Sequence, residues 1–179
     1  MRRNYAAWIG LCIVAALATL GTKYFSYFPG DVAVERWVQS LVPPNLNWAE
    51  AVSRTAEFPW VLLIMALIFA LAWVLAGWRA ALLSILSVVG MWVLGAGLGP
   101  AIARPRPSPE LVGVFRPHTG SSFPSLFALR FAATFGFLAV LAMMKSSGAR
   151  RTGLLLGCGA LLLFGWFARV ALGRTGRVT

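Results

Sequence analysis

Long apolar runs alternate with short polar segments along most of this chain. A helix needs about 20 residues, mostly apolar, to cross the hydrocarbon core of a bilayer. The hydrophobic pattern therefore predicts an all-α, polytopic membrane helix bundle that forms a single domain over residues 1–179. The expected elements are about five transmembrane helices and a loop of short interfacial helices, with spans near 6–20, 60–77, 81–98, 123–144 and 154–172 and the external loop at 23–59.

The first apolar run allows two interpretations. It follows Arg2 and Arg3, a polarity that secretory signals share, and Ala16-Leu17-Ala18 is similar to a cleavage site. However, the run is long for a signal, and the later helices need a partner to pack against. A retained first transmembrane helix is therefore the favoured interpretation.

The loop between the first two spans carries two short amphipathic patterns. The first begins after Asp31, which has the position of a helix N-cap, and the second begins where Asn47 and Glu50 have the spacing of a capping box. Trp37 and Trp48 lie on these patterns, and tryptophan is enriched at the boundary between lipid and water. Two short interfacial helices are predicted.

Composition agrees with a membrane protein. The chain is 59% hydrophobic and only 12% charged, whereas soluble proteins carry about 25% charged residues. The net charge of +11 does not indicate a nucleic-acid partner, because the basic residues lie between apolar runs. Cys12 and Cys158 each lie within an apolar run, away from any metal-ligand spacing, so no metal or cofactor is predicted.

Lysine and arginine in the short loops predict the orientation. Cytoplasmic loops are enriched in these residues, and six of them fall on one side of the five predicted spans: Arg2, Arg3, Arg79, Lys145, Arg150 and Arg151. The N-terminus is therefore expected in the cytoplasm, with the protein in an inner, cytoplasmic membrane of the bacterial kind. The loop at 23–59 balances its charges and can be external.

A second set of arginines falls on the predicted external face, where the positive-inside rule does not require them. Only Glu110 opposes this set, which indicates a polyanion at that face. Arg174 and Arg177 are the members most simply explained by lipid headgroups. The full set is Arg104, Arg106, Arg116, Arg130, Arg169, Arg174 and Arg177.

Three segments at this face carry a resemblance. The chain reads Gly-Pro-Ala-Ile-Ala-Arg-Pro-Arg-Pro over 99–107, Pro-Ser-Leu-Phe over 124–127 and Ala-Arg-Val-Ala-Leu-Gly-Arg-Thr-Gly-Arg-Val-Thr over 168–179. In order and spacing they resemble the Lys-x6-Arg-Pro, Pro-Ser-Gly-His and Ser-Arg-x5-His-x3-Asp motifs of the type 2 phosphatidic acid phosphatase superfamily, which is related to vanadium haloperoxidases. The resemblance runs from about residue 30 to the end and implies that family's helix bundle.

The same resemblance implies that the catalytic residues are missing. In the family, the third-motif histidine attacks phosphorus, an aspartate orients it, the second-motif histidine protonates the leaving oxygen, and a lysine and two arginines stabilise the phosphate. The nucleophile, orienting, acid and lysine positions hold Thr175, Thr179, Phe127 and Gly99 here. The anion-binding set implied for this chain is Arg106, Ser125 and Arg169, with Arg104 nearby. The single histidine, His118, lies in a loop, where a solvated side chain is favoured over a substitute base.

The resulting expectation is a catalytically degenerate, phosphatase-like membrane protein. It would bind a lipid phosphate or serve as an accessory subunit of a membrane complex. If the chain were an enzyme, it would be a lipid phosphatase or prenyl pyrophosphatase with unusual catalytic residues. Alternatively, the site has decayed and its arginines hold loops through carbonyl contacts, or the chain is a frameshifted or truncated phosphatase, since the match weakens after Gly173.

The expected partners follow from the number of spans. The family's core has one more span after the third motif, so the last predicted span here would lack a neighbour. Gly153, Gly157 and Ala160 give that span a stripe of small residues suited to close helix contact. Besides membrane lipids, the expected partner is another membrane protein or a second copy, bound through the first or fifth span.

Overall fold

The computed structural model describes residues 5–25, 30–43, 45–103 and 123–172. Over these ranges the chain forms helices and no strands, so the expected all-α class is confirmed. A π-helical turn at Ala132–Gly136 joins the sixth and seventh helices. The helices are α1 Tyr5–Tyr24, α2 Asp31–Leu41, α3 Asn47–Arg54, α4 Trp60–Ala76, α5 Trp78–Ile102, α6 Leu126–Phe131, α7 Phe137–Lys145 and α8 Gly148–Ala171.

Three segments of the described chain are long and apolar enough to cross a membrane: Trp78–Ile102, Leu126–Lys145 and Gly148–Ala171. They correspond to the third, fourth and fifth predicted spans. Two shorter apolar helices, Ile9–Thr22 and Trp60–Ala76, lie where the first and second spans were predicted. The protein therefore has the character of an integral membrane protein.

The predicted spans were too short at several ends. The helix α5 begins at Trp78 and continues through Pro100 to Ile102, beyond the predicted 81–98. It ends where Ala103 adopts a left-handed conformation, with φ of 47°, and donates its N–H to the carbonyl of Gly99 at 2.9 Å. The hydropathy pattern did not indicate this helix end, because the change from apolar to polar residues comes only after it.

The spanning helices pack around a core of phenylalanines. Phe127, Phe131 and Phe135 follow one another at four-residue intervals and are buried together with Ile68 and Cys158. Four-residue steps drift around an ordinary α-helix, which has 3.6 residues per turn. The π-helical turn is wider, since its hydrogen bonds join residues five apart, and it keeps the three rings on the side that faces α4 and α8.

The two predicted capping arrangements were wrong in detail. Asp31 is the first residue of α2, and Gly30 holds the capping position in a left-handed conformation. Asn47 opens α3 without capping it, and the side-chain oxygen of Asn45 instead accepts a hydrogen bond from the N–H of Asn47 at 3.0 Å. The carboxylate of Glu50 pairs with Arg54 at 2.9 Å, four residues further on.

The first helix stands apart from the others. Between Ile9 and Leu20 its large apolar side chains are exposed, and α1 makes no more than marginal contact with the other described helices. Cys12 is exposed on it, whereas Cys158 on α8 is buried. In a bilayer such a surface faces lipid tails, which are as apolar as the side chains themselves.

Candidate anion-binding site

The short helix α3 packs against the C-terminal half of α8. Ala49 is fully buried against Ala168, which is also fully buried. The ring of Trp48 lies 5.7 Å from that of Phe164 and 6.0 Å from that of Phe167, measured between centroids. Trp48 was expected to lie among lipid headgroups, but it is half-buried on a neighbouring helix. These contacts hold the last turn of α3 against the bundle.

Arg169 joins three helices at this point. It lies near the end of α8 and is half-buried. Its Nη1 donates a hydrogen bond to Oγ of Ser53, on α3, at 2.5 Å. Its guanidinium carbon lies 5.2 Å from the ring centroid of Phe127, on α6, which is within the range of cation–π attraction.

Arg130 reaches the same turn of backbone from α6. Its Nη1 donates a hydrogen bond to the carbonyl oxygen of Ala56, a buried residue just after α3. Arg130 is itself half-buried. Because Ser53 and Ala56 are three residues apart, both guanidinium groups converge on one turn of the chain.

This convergence concentrates positive charge at one place. The acceptors of these two hydrogen bonds, a hydroxyl and a carbonyl oxygen, are both neutral. Like charges held close together in a partly dehydrated site raise the local potential and favour an anion. Arginine presents its donors in a planar fork that suits carboxylate and phosphate oxygens. The arrangement is therefore suited to holding a phosphate.

A stack of aromatic rings supports Arg169 from below. The rings of Phe127 and Phe131 lie 4.1 Å apart between centroids, and Phe131 meets Phe135 edge-on at 5.1 Å. Gly165 makes room for them on α8, because a Cβ atom there would lie 2.6 Å from Phe131 Cε1 and 3.2 Å from Phe127 Cζ. The ring of Phe127, at the position that the resemblance assigns to the acid, is thus fixed in place, and a phenyl ring has no acidic proton to donate.

Ser125 has a structural role that the sequence did not predict. Its hydroxyl accepts a hydrogen bond from the N–H of Ala128 at 3.2 Å and so caps the N-terminus of α6. Gly99, at the family's lysine position, is buried in the last turn of α5 and carries no side chain to contribute charge.

Among the predicted positions, the structure describes Gly99, Ser125, Phe127 and Arg169. Arg169 contacts Phe127, and Ser125 begins the helix that carries Phe127. The remaining predicted positions lie outside the described residues, namely Arg104, Arg106, Thr175 and Thr179, and so does His118.

Two contributors were missed at the sequence level. Ser53 was not considered, although a buried serine on a short amphipathic helix is a signal that its hydroxyl has a partner. Arg130 was counted among the external arginines but not placed in the site. Its position within an apolar run, where a charge is expensive, was the available signal.

The opposite side of α3 carries a separate, open groove of about 510 Å³. Its wall includes the ion pair between Glu50 and Arg54, and its lining consists of Asn47, Glu50, Ala51, Arg54, Thr55 and Trp60. The described residues contain no group of three histidine, cysteine or acidic side chains that could hold a metal ion.

In comparisons with known proteins, no family model, no curated protein and no solved structure matches this chain. The resemblance to phosphatidic acid phosphatases rests on the residues quoted above.

Proposed function

We propose that the chain is a catalytically inactive membrane protein of the phosphatidic acid phosphatase type that binds the phosphate of a lipid. The observation that carries the proposal is the contact between Arg169 and Phe127. In the resemblance, Arg169 is the third-motif arginine and Phe127 stands at the second-motif acid position. The two residues are 42 positions apart in the sequence (169 − 127). Their proximity supports the alignment of both motifs.

In this proposal the bundle has five spans, with α1 and α4 as the first and second. A helix of 17 residues, the length of α4, rises about 25 Å and comes close to the hydrocarbon thickness of about 30 Å. The N-terminus is cytoplasmic and the arginine site external, because the short turns that carry Arg79 and Lys145 lie at the other end of the bundle.

Binding without hydrolysis follows from the residue types. Phosphoryl transfer through a covalent intermediate needs a nucleophile activated by a base and an acid for the leaving group. The acid position holds a phenylalanine whose ring packs under the arginine. A fixed guanidinium pair stabilises phosphate oxygens without supplying either function.

The competing interpretation is that the arginines only hold α3 in place. The bonds to Ser53 and Ala56 fit that role as well. However, one hydrogen bond is enough to satisfy the backbone carbonyl of Ala56. Arg130 uses one nitrogen for this bond, whereas its guanidinium group carries five N–H donors. A phosphate beside Arg130 and Arg169 would accept hydrogen bonds from further donors of Arg130 and would lie close to both positive charges.

A second candidate function is that of an accessory subunit in a membrane complex. The exposed apolar surface of α1, with its marginal contact to the other described helices, favours it. This role is compatible with lipid binding, and assembly is tested separately below.

The binding test uses purified protein in neutral detergent titrated with short-chain phosphatidic acid, a phosphomonoester. We expect Arg169→Gln to weaken binding about 10- to 100-fold, as loss of a charge-assisted hydrogen bond does. Arg54→Gln is the matched control, because Arg54 is exposed on α3, the short helix that Arg169 contacts, and pairs with Glu50. Equal affinity of the two variants for phosphatidic acid would contradict the proposal.

A further inference from the structure

The two short turns of the spanning hairpins lie together at the end of the bundle opposite the arginine site. One turn, at Gly77, joins α4 to α5, and the other joins α7 to α8. They are neighbours because Ala72 and Ala80, on either side of Gly77, form one buried cluster with Leu141 of α7. Lys145, at the end of α7, is one turn further on.

These turns carry only positive charge. Arg79, Lys145, Arg150 and Arg151 are all exposed. The sequence has no acidic residue after Glu57 except Glu110, which comes between α5 and α6 in the sequence and lies outside the described residues. Four cations therefore face the same membrane surface without a carboxylate among them.

The local structure does not compensate these charges. Arg79 is the second residue of α5, and Arg150 and Arg151 are the third and fourth of α8. The N-terminal end of a helix carries a partial positive charge and favours anions rather than cations. Neither helix has an acidic residue in its first turn.

The depth of the cations matches that of lipid headgroups. Trp78 is 56% exposed, and the guanidinium carbon of Arg79 lies 5.6 Å from its ring centroid. Exposed tryptophan beside a spanning helix settles at headgroup level. Because the turns are short, each cation is within about one helical turn, roughly 5 Å, of a spanning segment.

We propose that Arg79, Lys145, Arg150 and Arg151 form a docking surface for the phosphodiester headgroups of anionic phospholipids. This surface, the basic end, is distinct from the arginine site and does not depend on the function proposed for it. The positive-inside rule explains on which side of the membrane these cations come to lie during insertion. A headgroup bound between the turns would persist in the folded protein, and basic clusters between spanning helices bind anionic headgroups in this way.

The test is native mass spectrometry of the purified protein in neutral detergent with added short-chain phosphatidylglycerol or phosphatidylcholine. Detergent removes the effect of orientation, since both ends are equally accessible. We expect phosphatidylglycerol to bind more tightly than phosphatidylcholine. Each cation near an anionic surface contributes about a fivefold increase in binding. The variant with Arg79→Gln, Lys145→Gln, Arg150→Gln and Arg151→Gln should lose the preference.

Three further variants keep the result interpretable. Replacing the three arginines of the basic end by lysine should retain the preference, which shows that the loss in the glutamine variant is not misfolding. Arg169→Gln should also retain it, so that failure of the proposed arginine site is distinguished from failure of the basic end. Arg36→Gln, an exposed change on α2, is the surface control.

The proposal is overturned if the fourfold glutamine variant, with unchanged thermal stability, keeps the preference for phosphatidylglycerol. It is also overturned if the natural protein binds both lipids equally. Binding of an acidic soluble protein or of nucleic acid in preference to phosphatidylglycerol would assign the surface to another partner and overturn it too.

Discussion

The guanidinium carbon of Arg169 lies 5.2 Å from the ring centroid of Phe127, so the last turn of α8 and the first turn of α6 meet through a cation and an aromatic face. The same guanidinium group donates to Ser53 of α3. One side chain thus links α6 and α8 to the short helix α3. The predictions below begin from this link.

The bond between Arg169 and Ser53 should stabilise the fold. Ser53→Ala removes a buried acceptor of a charged donor, for which the expected loss is about 1–3 kcal/mol in the free energy of unfolding. Ser40→Ala is the control, because Ser40 is exposed and bonds only to the carbonyl of Trp37 within its own helix. The measurement is reversible unfolding in mixed micelles, and equal losses for the two variants would show that the bond contributes nothing.

The close approach of α8 to the phenylalanine stack should make Gly165 sensitive to substitution. Gly165→Ala places a Cβ atom 2.6 Å from Phe131 Cε1, so we expect a loss of about 1–3 kcal/mol in the free energy of unfolding. On the same helix, a Cβ at Gly159 would have no neighbour within 4 Å. Gly159→Ala should therefore be neutral or slightly stabilising. Unfolding in the same micelles compares them, and the opposite order would be evidence against the packing described.

The purified protein should release no phosphate above background from phosphatidic acid or a prenyl pyrophosphate. The double variant Phe127→His and Thr175→His should remain inactive, because Gly99 and Thr179 still lack the lysine and carboxylate that the family motif supplies. Catalytic groups act as a unit, and restoring two of four recovers little. Phosphate release by the natural sequence that disappears in Arg169→Ala would instead identify an active phosphatase.

The proposed topology, with five spans and a cytoplasmic N-terminus, places residues 1 and 179 on opposite sides of the membrane. We expect a cysteine at position 147 to be protected from an impermeant thiol reagent on intact cells, and cysteines at 57 and 179 to react. The variants are Ser147→Cys, Glu57→Cys and Thr179→Cys, made after Cys12 and Cys158 are replaced by alanine. If positions 147 and 179 are equally protected, the five-span topology is wrong.

The exposed small residues of α8 should matter for assembly rather than for the fold. Gly157 is exposed, and a Cβ atom there would meet nothing within 4 Å. Gly157→Leu should leave unfolding unchanged but reduce association with a second copy or a co-purifying membrane protein. Native mass measurement after gentle extraction detects this association. A monodisperse monomer, with no effect of the variant on any co-purifying protein, would count against association through α8.

The local pattern of apolar and polar residues predicted the helices well but predicted their ends poorly. The spans near 81–98, 123–144 and 154–172 correspond to candidate membrane helices because each is a long apolar run with at most one charged residue. The capping residues were mistaken because several polar residues compete for each helix start. Asn45 rather than Asn47 supplies the bond at α3, and spacing alone does not distinguish them.

The same reasoning from the sequence predicted only part of the candidate site. Arg169 and Ser125 were identified from their motif positions, but the cap that Ser125 provides and the stack beneath Arg169 were not. Arg130 was counted only among the external arginines. Its partner, the carbonyl of Ala56, carries no signal in the sequence because every residue has such an oxygen.

The sequence by itself determined that the chain is helical and suited to a membrane, and that cations gather between particular spans. These properties depend on composition and on neighbours within a few turns. The tertiary structure decided that Arg169 meets Ser53, 116 residues away, and that Arg130 meets Ala56, 74 residues away. Periodicity says which face of a helix is apolar but not which helix it faces. Only packing brings α3 under two arginines from different helices.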